Sequence, residues 1–378
     1  MIRLSSLQVP KIGIVVLALS AVAPGATAQP AAPPSAETPA PPRKPDTALL
    51  EQTVERAKEL PNLHSMIVSH DGSVVAEQVF RGPALDRPVN IKSASKTVLS
   101  ALVGIAIDKG VLKGVDQTVA SIFESSIPED ADDRVDEITV GHLLSMRSGL
   151  ERTSGRNYGA WVSSGNWVRY ALSRPMVDEP GGRMLYSTGN THLLSAMLTR
   201  ASKRSTLDLA RDWLGDPLDI NIAPWTRDPQ GIYLGGNEMA LSPRALLRFG
   251  EMYRLGGVID GKRVLSEDWI RESWTPRTAS PFTGDSYGYG WFMREVRGHP
   301  VHYAWGYGGQ MLFVVPSLAL TVVMTSDPTE PSRQDGHMQA LHALLADGIV
   351  PAVEPPPQEG PATTGSTGGA PAEAPAAQ

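Results

Sequence analysis

The run IKSASKTVLSALVGIAIDKG, Ile91 to Gly110, places a serine three residues before a lysine. At the start of a helix that spacing sets Ser93 and Lys96 on one face, one turn apart. A serine hydroxyl is a poor nucleophile until a neighbouring base takes its proton. A lysine serves as that base only where burial or another cation lowers its pKa. The apolar stretch TVLSALVGIAI supplies a dry setting of that kind. The same pair also fits an ordinary polar contact, and the spacing alone does not separate the two. Tyr186, in PGGRMLYSTGNTHLLS, stands between a Pro-Gly turn and a helix. There its hydroxyl can relay a proton to or from Ser93, or simply bond within a core. In WGYGGQMLFVVP, Gly306, Gly308 and Gly309 open a strand and let another group approach the backbone. An N–H at that point, with the N–H of Ser93, can hold a developing oxyanion. A bulge or turn accounts for the same glycines.

Other chemistries find little support. The chain has no cysteine, which excludes a thiol nucleophile and disulfides. No G-x-S-x-G elbow, H-E-x-x-H pair or phosphate-cradling loop occurs. His337 and His342 are five apart, out of line on a helix, so a metal site is not expected, and acyl transfer by a serine and its base calls for no organic cofactor. A formal charge of −6 without basic runs argues against nucleic acid as a partner. The acidic run EDADDRVDE, Glu129–Glu137, reads as a solvated loop.

The surrounding elements must position these residues. LHSMIVSHDGSVVAEQVFRG contains two β-rich runs joined by Asp71-Gly72, a hairpin signal. Thr97 to Lys109 predicts a helix apolar on nearly every side, closed by Gly110 and buried mid-domain. The middle of the chain reads as short helices, with Ser242-Pro243 and Ser266 as caps. After residue 286 the β signal returns in YGYGWFMREV, VHYAW, QMLFVVP and LALTVVMTS, and a last helix is expected from about Gln334 to Leu345. The expected fold is α+β: one antiparallel sheet of N- and C-terminal strands, flanked by helices and carrying a helical subdomain. Residues 1–28 read as an export signal, with Arg3 and Lys11, an apolar run from Ile12 to Ala23, and Ala26-Thr27-Ala28 as cleavage site. That run is too short for a spanning helix. A periplasmic or secreted protein without stable membrane insertion is expected. A Pro/Ala-rich linker at 29–46, a folded domain at 47–350 and a Pro/Ala/Gly-rich tail at 351–378 complete the division.

The series SASK, then YST, then YGG on a late strand resembles the serine β-lactamase and penicillin-binding superfamily. LLSMRSGL, PGGRMLYS, MALSPRALLRFGEMY and YGYGW match as well, so the resemblance covers about residues 60–346. It implies Ser93 as the acylated nucleophile, Lys96 as main proton acceptor and Tyr186 as the group that shuttles the proton. It also implies Gln310 as giver of a second oxyanion N–H beside that of Ser93, with Thr188, Tyr307, Gly308 and Gly309 at the substrate. The family's second motif usually reads Tyr-x-Asn, where Thr188 stands here. Its third usually opens with Lys or His, where Tyr307 stands. Both changes remove lactam contacts. They resemble the branch of 6-aminohexanoate-dimer hydrolases and carboxylesterases, which implies hydrolysis of a small ester or amide. A true β-lactamase or DD-peptidase, and a non-catalytic binding module on the same fold, are the alternatives. The oligomeric state is left open.

Overall fold

The computed structural model describes residues 44–333 and 335–355. The expected export signal, most of the linker and the tail from 356 lie outside the described residues. Residues 351–355 of the expected tail continue the fold: Val350–Val353 is helical, and Ala352 O accepts from Asp46 N–H at 2.8 Å.

The first two strands are β1 (Leu63–His70) and β2 (Ser73–Val79). They meet at Asp71-Gly72, where φ is 49° and 75°, the left-handed geometry of a two-residue hairpin turn. Two-residue strands β3 (Val89–Asn90) and β4 (Ala240–Leu241) pair with each other and tie the two ends of the helical insertion together. A small hairpin, β5 (Val258–Ile259) with β6 (Lys262–Arg263), stands apart. The chain then returns through β7 (Thr278–Ala279), β8 (Ser286–Tyr287), β9 (Phe292–Val296), β10 (His299–Gly306), β11 (Gln310–Val315) and β12 (Leu320–Ser326). These form an eight-stranded antiparallel sheet in the order β2-β1-β12-β11-β10-β9-β8-β7. The two ends of the sequence thus meet at β1 and β12, with Ile67 opposite Val323.

The central strands β11 and β12 are buried on both faces, which is why QMLFVV and LTVVMTS read as continuous apolar runs rather than alternating ones. Period-2 geometry sorts their side chains. Ile67, Leu312, Val314 and Val323 join the core shared with the helical insertion. Met66, Val68, Met311, Phe313, Val322 and Met324 join the core beneath the terminal helices Thr47–Lys58 and His337–Leu344. The Pro243–Arg254 helix lies on the insertion side, capped by Ser242 Oγ accepting from Ala245 N–H at 3.1 Å.

The central helix runs Ser95–Asp108, starting two residues earlier than its apolar pattern, and Gly110 follows it at φ 68°. Every residue from Ser95 to Ala106 is buried. Trp269 lies flat against Gly104, where even a methyl group would collide with the indole. Thr97 and Ser100 donate to the carbonyls of Gly290 and Tyr289 at 2.6 and 2.7 Å, fastening the helix to the YGYGW segment before β9. A helix so fully enclosed cannot shift without breaking the sheet contacts, so it is a rigid mount for the residues at its N-terminus.

Candidate active site

Ser93 lies in a single 3-10 turn, Lys92–Ala94, that feeds the central helix. Lys92 adopts φ 49°, a conformation that costs a non-glycine residue about 1 kcal/mol and needs outside support. The support comes from β3 and the segment before β4. Asn90 Oδ1 accepts from Lys92 N–H at 2.9 Å, and Asn90 Nδ2 donates to Glu238 at 2.7 Å. Lys92 Nζ pairs with Glu238 at 3.4 Å, and Ile91 N–H donates to Met239 O at 3.0 Å. The strand pair that closes the insertion therefore also sets the backbone before Ser93.

Lys96 is 2% exposed and has no carboxylate partner among the described residues. Its Nζ lies 3.1 Å from Ser93 Oγ, 3.2 Å from Thr188 Oγ1 and 2.6 Å from Gly236 O. Burial without a counter-charge lowers its pKa from 10.5 to about 7. A neutral amine matches these three neighbours one for one. Gly236 O can only accept, so it takes one N–H; Thr188 takes the second; the lone pair faces the Ser93 hydroxyl.

Tyr186 completes the triad. Its ring stacks on Phe292 and meets Phe282 edge-on at 6.0 Å, and Lys96 Nζ lies 5.1 Å from the ring centre. Burial raises its pKa to about 12, with a hydrogen bond to Ser93 pulling the other way. The two shifts move in opposite directions. Near neutrality the lysine is ready to accept a proton while the phenol holds one.

A cleft of about 510 Å³ opens over Ser93 and Tyr186 and is walled by Phe282, Trp305 and Tyr307. Trp305 lines the cleft, and several other aromatics of the chain do not. Tyr158, Trp161 and Trp167 pack together inside the insertion, and Trp225 packs on Tyr233.

The structure rearranges the expected substrate residues. Thr188 is buried, and its hydroxyl is engaged by Lys96 and by Ser154 Oγ at 3.0 Å, so it serves the base rather than the cleft. Gln310, whose expected role is its backbone N–H, does not turn its side chain to the cleft. It is fully buried at the start of β11, its side-chain amide donating to Ser326 O at 2.7 Å and accepting from Ser326 N–H at 3.2 Å. Gly308 packs against the Asp327 carbonyl and Gly309 against Ser326 and His337, both behind the turn. The glycine beside the nucleophile is Gly306, where a methyl group would strike the Ile91 carbonyl oxygen. Tyr307, next along, is 49% exposed and faces the cleft as expected.

Sequence reasoning missed Gly236 and Ser154. Gly236 has φ 79°, and a side chain there would run into Lys96 and Thr191. The Gly235-Gly236 pair was the available signal. Ser154 Oγ accepts from Thr188 N–H at 2.8 Å, capping the Thr188–Ser202 helix from another loop. Nothing local to Ser154 marks that role.

Comparison with known proteins agrees with this architecture. A curated relative, the 6-aminohexanoate-dimer hydrolase of Paenarthrobacter ureafaciens, is 25% identical over 304 residues, 72% of this chain and 74% of its own. Among solved structures, a candidate β-lactamase from Bacteroides dorei DSM 17855 superposes with TM-score 0.67 at 17% identity, covering 82% of this chain and 99% of that one. The octameric penicillin-binding protein homologue of Pyrococcus abyssi gives TM-score 0.62 at 19% identity, covering 81% and 78%. These likenesses establish an α+β fold of the β-lactamase and transpeptidase kind. The family model described as Beta-lactamase matches residues 50–346. With the sheet, the buried lysine and the serine before the central helix in place, the chain belongs to the beta-lactamase family, as a serine hydrolase.

Proposed function

We propose that this chain is an exported serine hydrolase that cleaves a small ester or amide through an acyl group carried on Ser93. The observation that carries the reading is the Lys96 amine, 3.1 Å from Ser93 Oγ and held near pKa 7 by burial. In the first step Ser93 Oγ attacks the carbonyl carbon and Lys96 takes the hydroxyl proton. The carbonyl oxygen becomes an oxyanion facing the N–H of Ser93 and a backbone N–H at the cleft side of the Gly306–Gln310 turn. Gln310 supplies that N–H, and Tyr307 faces the cleft beside it. Tyr186, protonated at working pH, gives its proton to the departing alkoxide or amine and regains one from Lys96. Water then adds to the acyl carbon, its proton passing to Lys96, and Ser93 Oγ takes that proton back as it leaves, with the acid as product.

The Paenarthrobacter relative is named for hydrolysis of an amide dimer, which supports amides beside esters as substrates here. β-Lactam hydrolysis is disfavoured, because the Thr188 hydroxyl is engaged by Lys96 and an aromatic ring stands at Tyr307. The test is intact-protein mass after brief exposure to p-nitrophenyl acetate, with nitrophenol release followed in parallel. A burst and an acetyl increment, both absent in Ser93→Ala, are expected. A folded sample that shows neither refutes the reading.

A further inference from the structure

The Gly306–Gln310 turn has little in its own backbone to fix it. Gly308 and Gly309 both lie at positive φ, 86° and 102°, and glycine is the residue least restrained by its own sterics. A backbone bond from Gly309 N–H to Gly306 O, at 3.1 Å, crosses the turn. The ladder between β11 and β12 stops at Met311 opposite Met324, short of it.

Buried side chains hold the turn from behind, and none of them lines the cleft. The Gln310 amide acts as one more rung of the ladder. Its Nε2 donates to Ser326 O at 2.7 Å and its Oε1 accepts from Ser326 N–H at 3.2 Å, while Nε2 also reaches Tyr307 O at 3.4 Å. Ser326 Oγ donates to Gly309 O at 3.2 Å and lies 2.9 Å from His337 Nε2. A carbonyl can only accept, so the serine proton is committed to Gly309 and His337 donates its Nε2–H to the serine oxygen. His337 is set in turn by its own N–H, which donates to Asp335 Oδ1 at 3.0 Å. Side chains from β11, β12 and the last helix thus converge on two carbonyls of one turn.

A trans peptide points its C=O and N–H in opposite directions. Tying the Gly309 oxygen to Ser326 therefore turns the Gln310 N–H away from Ser326 and His337. A hydrogen bond into that carbonyl also polarises the peptide and makes the same N–H a stronger donor. Resting on the acyl-enzyme reading above, in which the Gln310 N–H helps hold the oxyanion, we propose that the Gln310 side chain, Ser326 and His337 are positioning residues for that N–H. His337 orients the Ser326 hydroxyl, the hydroxyl orients the Gly309–Gln310 peptide, and the Gln310 amide locks the turn to β12. They act on the rate through the turn and do not meet the substrate.

The test follows the p-nitrophenyl acetate burst on the full chain carrying Ser326→Ala or His337→Phe. Removing an oxyanion donor outright costs about 10²–10³ in rate, so misaiming one should cost about tenfold or more. The loss should fall on the saturating acylation rate, with the half-saturating ester concentration little changed. The rising limb near pH 7, which belongs to Lys96, should not move. Ser326→Thr and His337→Gln each keep a donor and should recover part of the rate. Folded Ser326→Ala and His337→Phe variants that acylate as fast as the unaltered chain overturn the proposal and leave the hydrolase reading intact. So does a loss that falls on the half-saturating concentration, shifts the rising limb or is not repaired by the conservative variants, since each marks a general disturbance of the site. Should either variant fail to fold, Gln310→Met decides by the same readouts. No burst from the unaltered chain overturns the acyl-enzyme reading and this proposal with it.

Discussion

Replacing Lys96 with methionine removes a charge while keeping chain length and most of the volume. Burial holds the Lys96 pKa at about 7, against 10.5 in the unfolded chain. Between those values the unfolded chain binds the extra proton, so stability rises with pH across that window. Below pH 7 both states are protonated and the whole penalty of burying the ammonium stands, about 5 kcal/mol at 1.36 kcal/mol per unit. By pH 9.5 most of it has gone, so the native protein gains about 3 kcal/mol from this group between pH 6 and pH 9.5. Lys96→Met has no such gain. It does leave Gly236 O without its donor, a cost of about 1–3 kcal/mol that does not depend on pH. The variant is therefore expected to be the more stable protein at pH 6 and to lose that advantage by pH 9.5. Urea unfolding of both proteins at both pH values measures this, and their difference cancels every group that titrates alike in the two. A stability gap that changes by less than about 0.5 kcal/mol between the two pH values refutes the claim that Lys96 is a base tuned by desolvation.

The same tuning predicts the rate profile: acylation should climb as pH rises through about 7, where Lys96 loses its proton, and stay level until far above, since Tyr186 holds its own to about 12. An acylation rate independent of pH between 5 and 9 would remove Lys96 from the role of base. Tyr186→Phe keeps the stacking on Phe292 and Phe282 and removes one hydroxyl, so burst rates should fall by about 10²–10⁴ with thermal stability little changed; a loss under tenfold would mean Lys96 moves the proton alone. Asp228→Ala tests the support of the base. Asp228 bonds His192 at 3.1 Å and the Gln230 and Ile232 N–H groups at 2.9 and 2.8 Å, shaping the loop that aims Gly236 O at Lys96. The variant should lower kcat more than it raises KM and shift the rising limb of the pH profile; an unmoved limb would show that the loop holds Gly236 without it.

Much of the scaffold was legible because its signals are local. The Asp71-Gly72 turn, the Ser242-Pro243 and Ser266 caps and the continuous apolar runs of β11 and β12 each follow from a few adjacent residues. The central helix was legible for a different reason: a stretch apolar on nearly all sides has only one place to go. Ser93 and Lys96 were legible as a pair because helical spacing alone brings them together. Their chemical states were not, since the absence of a carboxylate near Lys96 depends on where the Thr188–Ser202 helix and the Gly235-Gly236 loop come to rest.

The glycine-rich turn shows why tertiary register resists a sequence reading. Gly306, Gly308 and Gly309 are equivalent on paper, and each is needed for a different close approach: to Ile91, to Asp327, and to Ser326 with His337. The first packs against the segment that carries Ser93, Tyr307 next to it walls the cleft, and the Gln310 side chain is bonded to Ser326 in the sheet. That arrangement decides what the altered motifs mean. With Tyr307 as a wall of the cleft and Thr188 turned to Lys96, the usual contacts for a substrate's polar groups at these two positions are gone, while the proton-transfer set of Ser93, Lys96 and Tyr186 is whole. A site that keeps its chemistry and changes its contacts must recognise its substrate elsewhere.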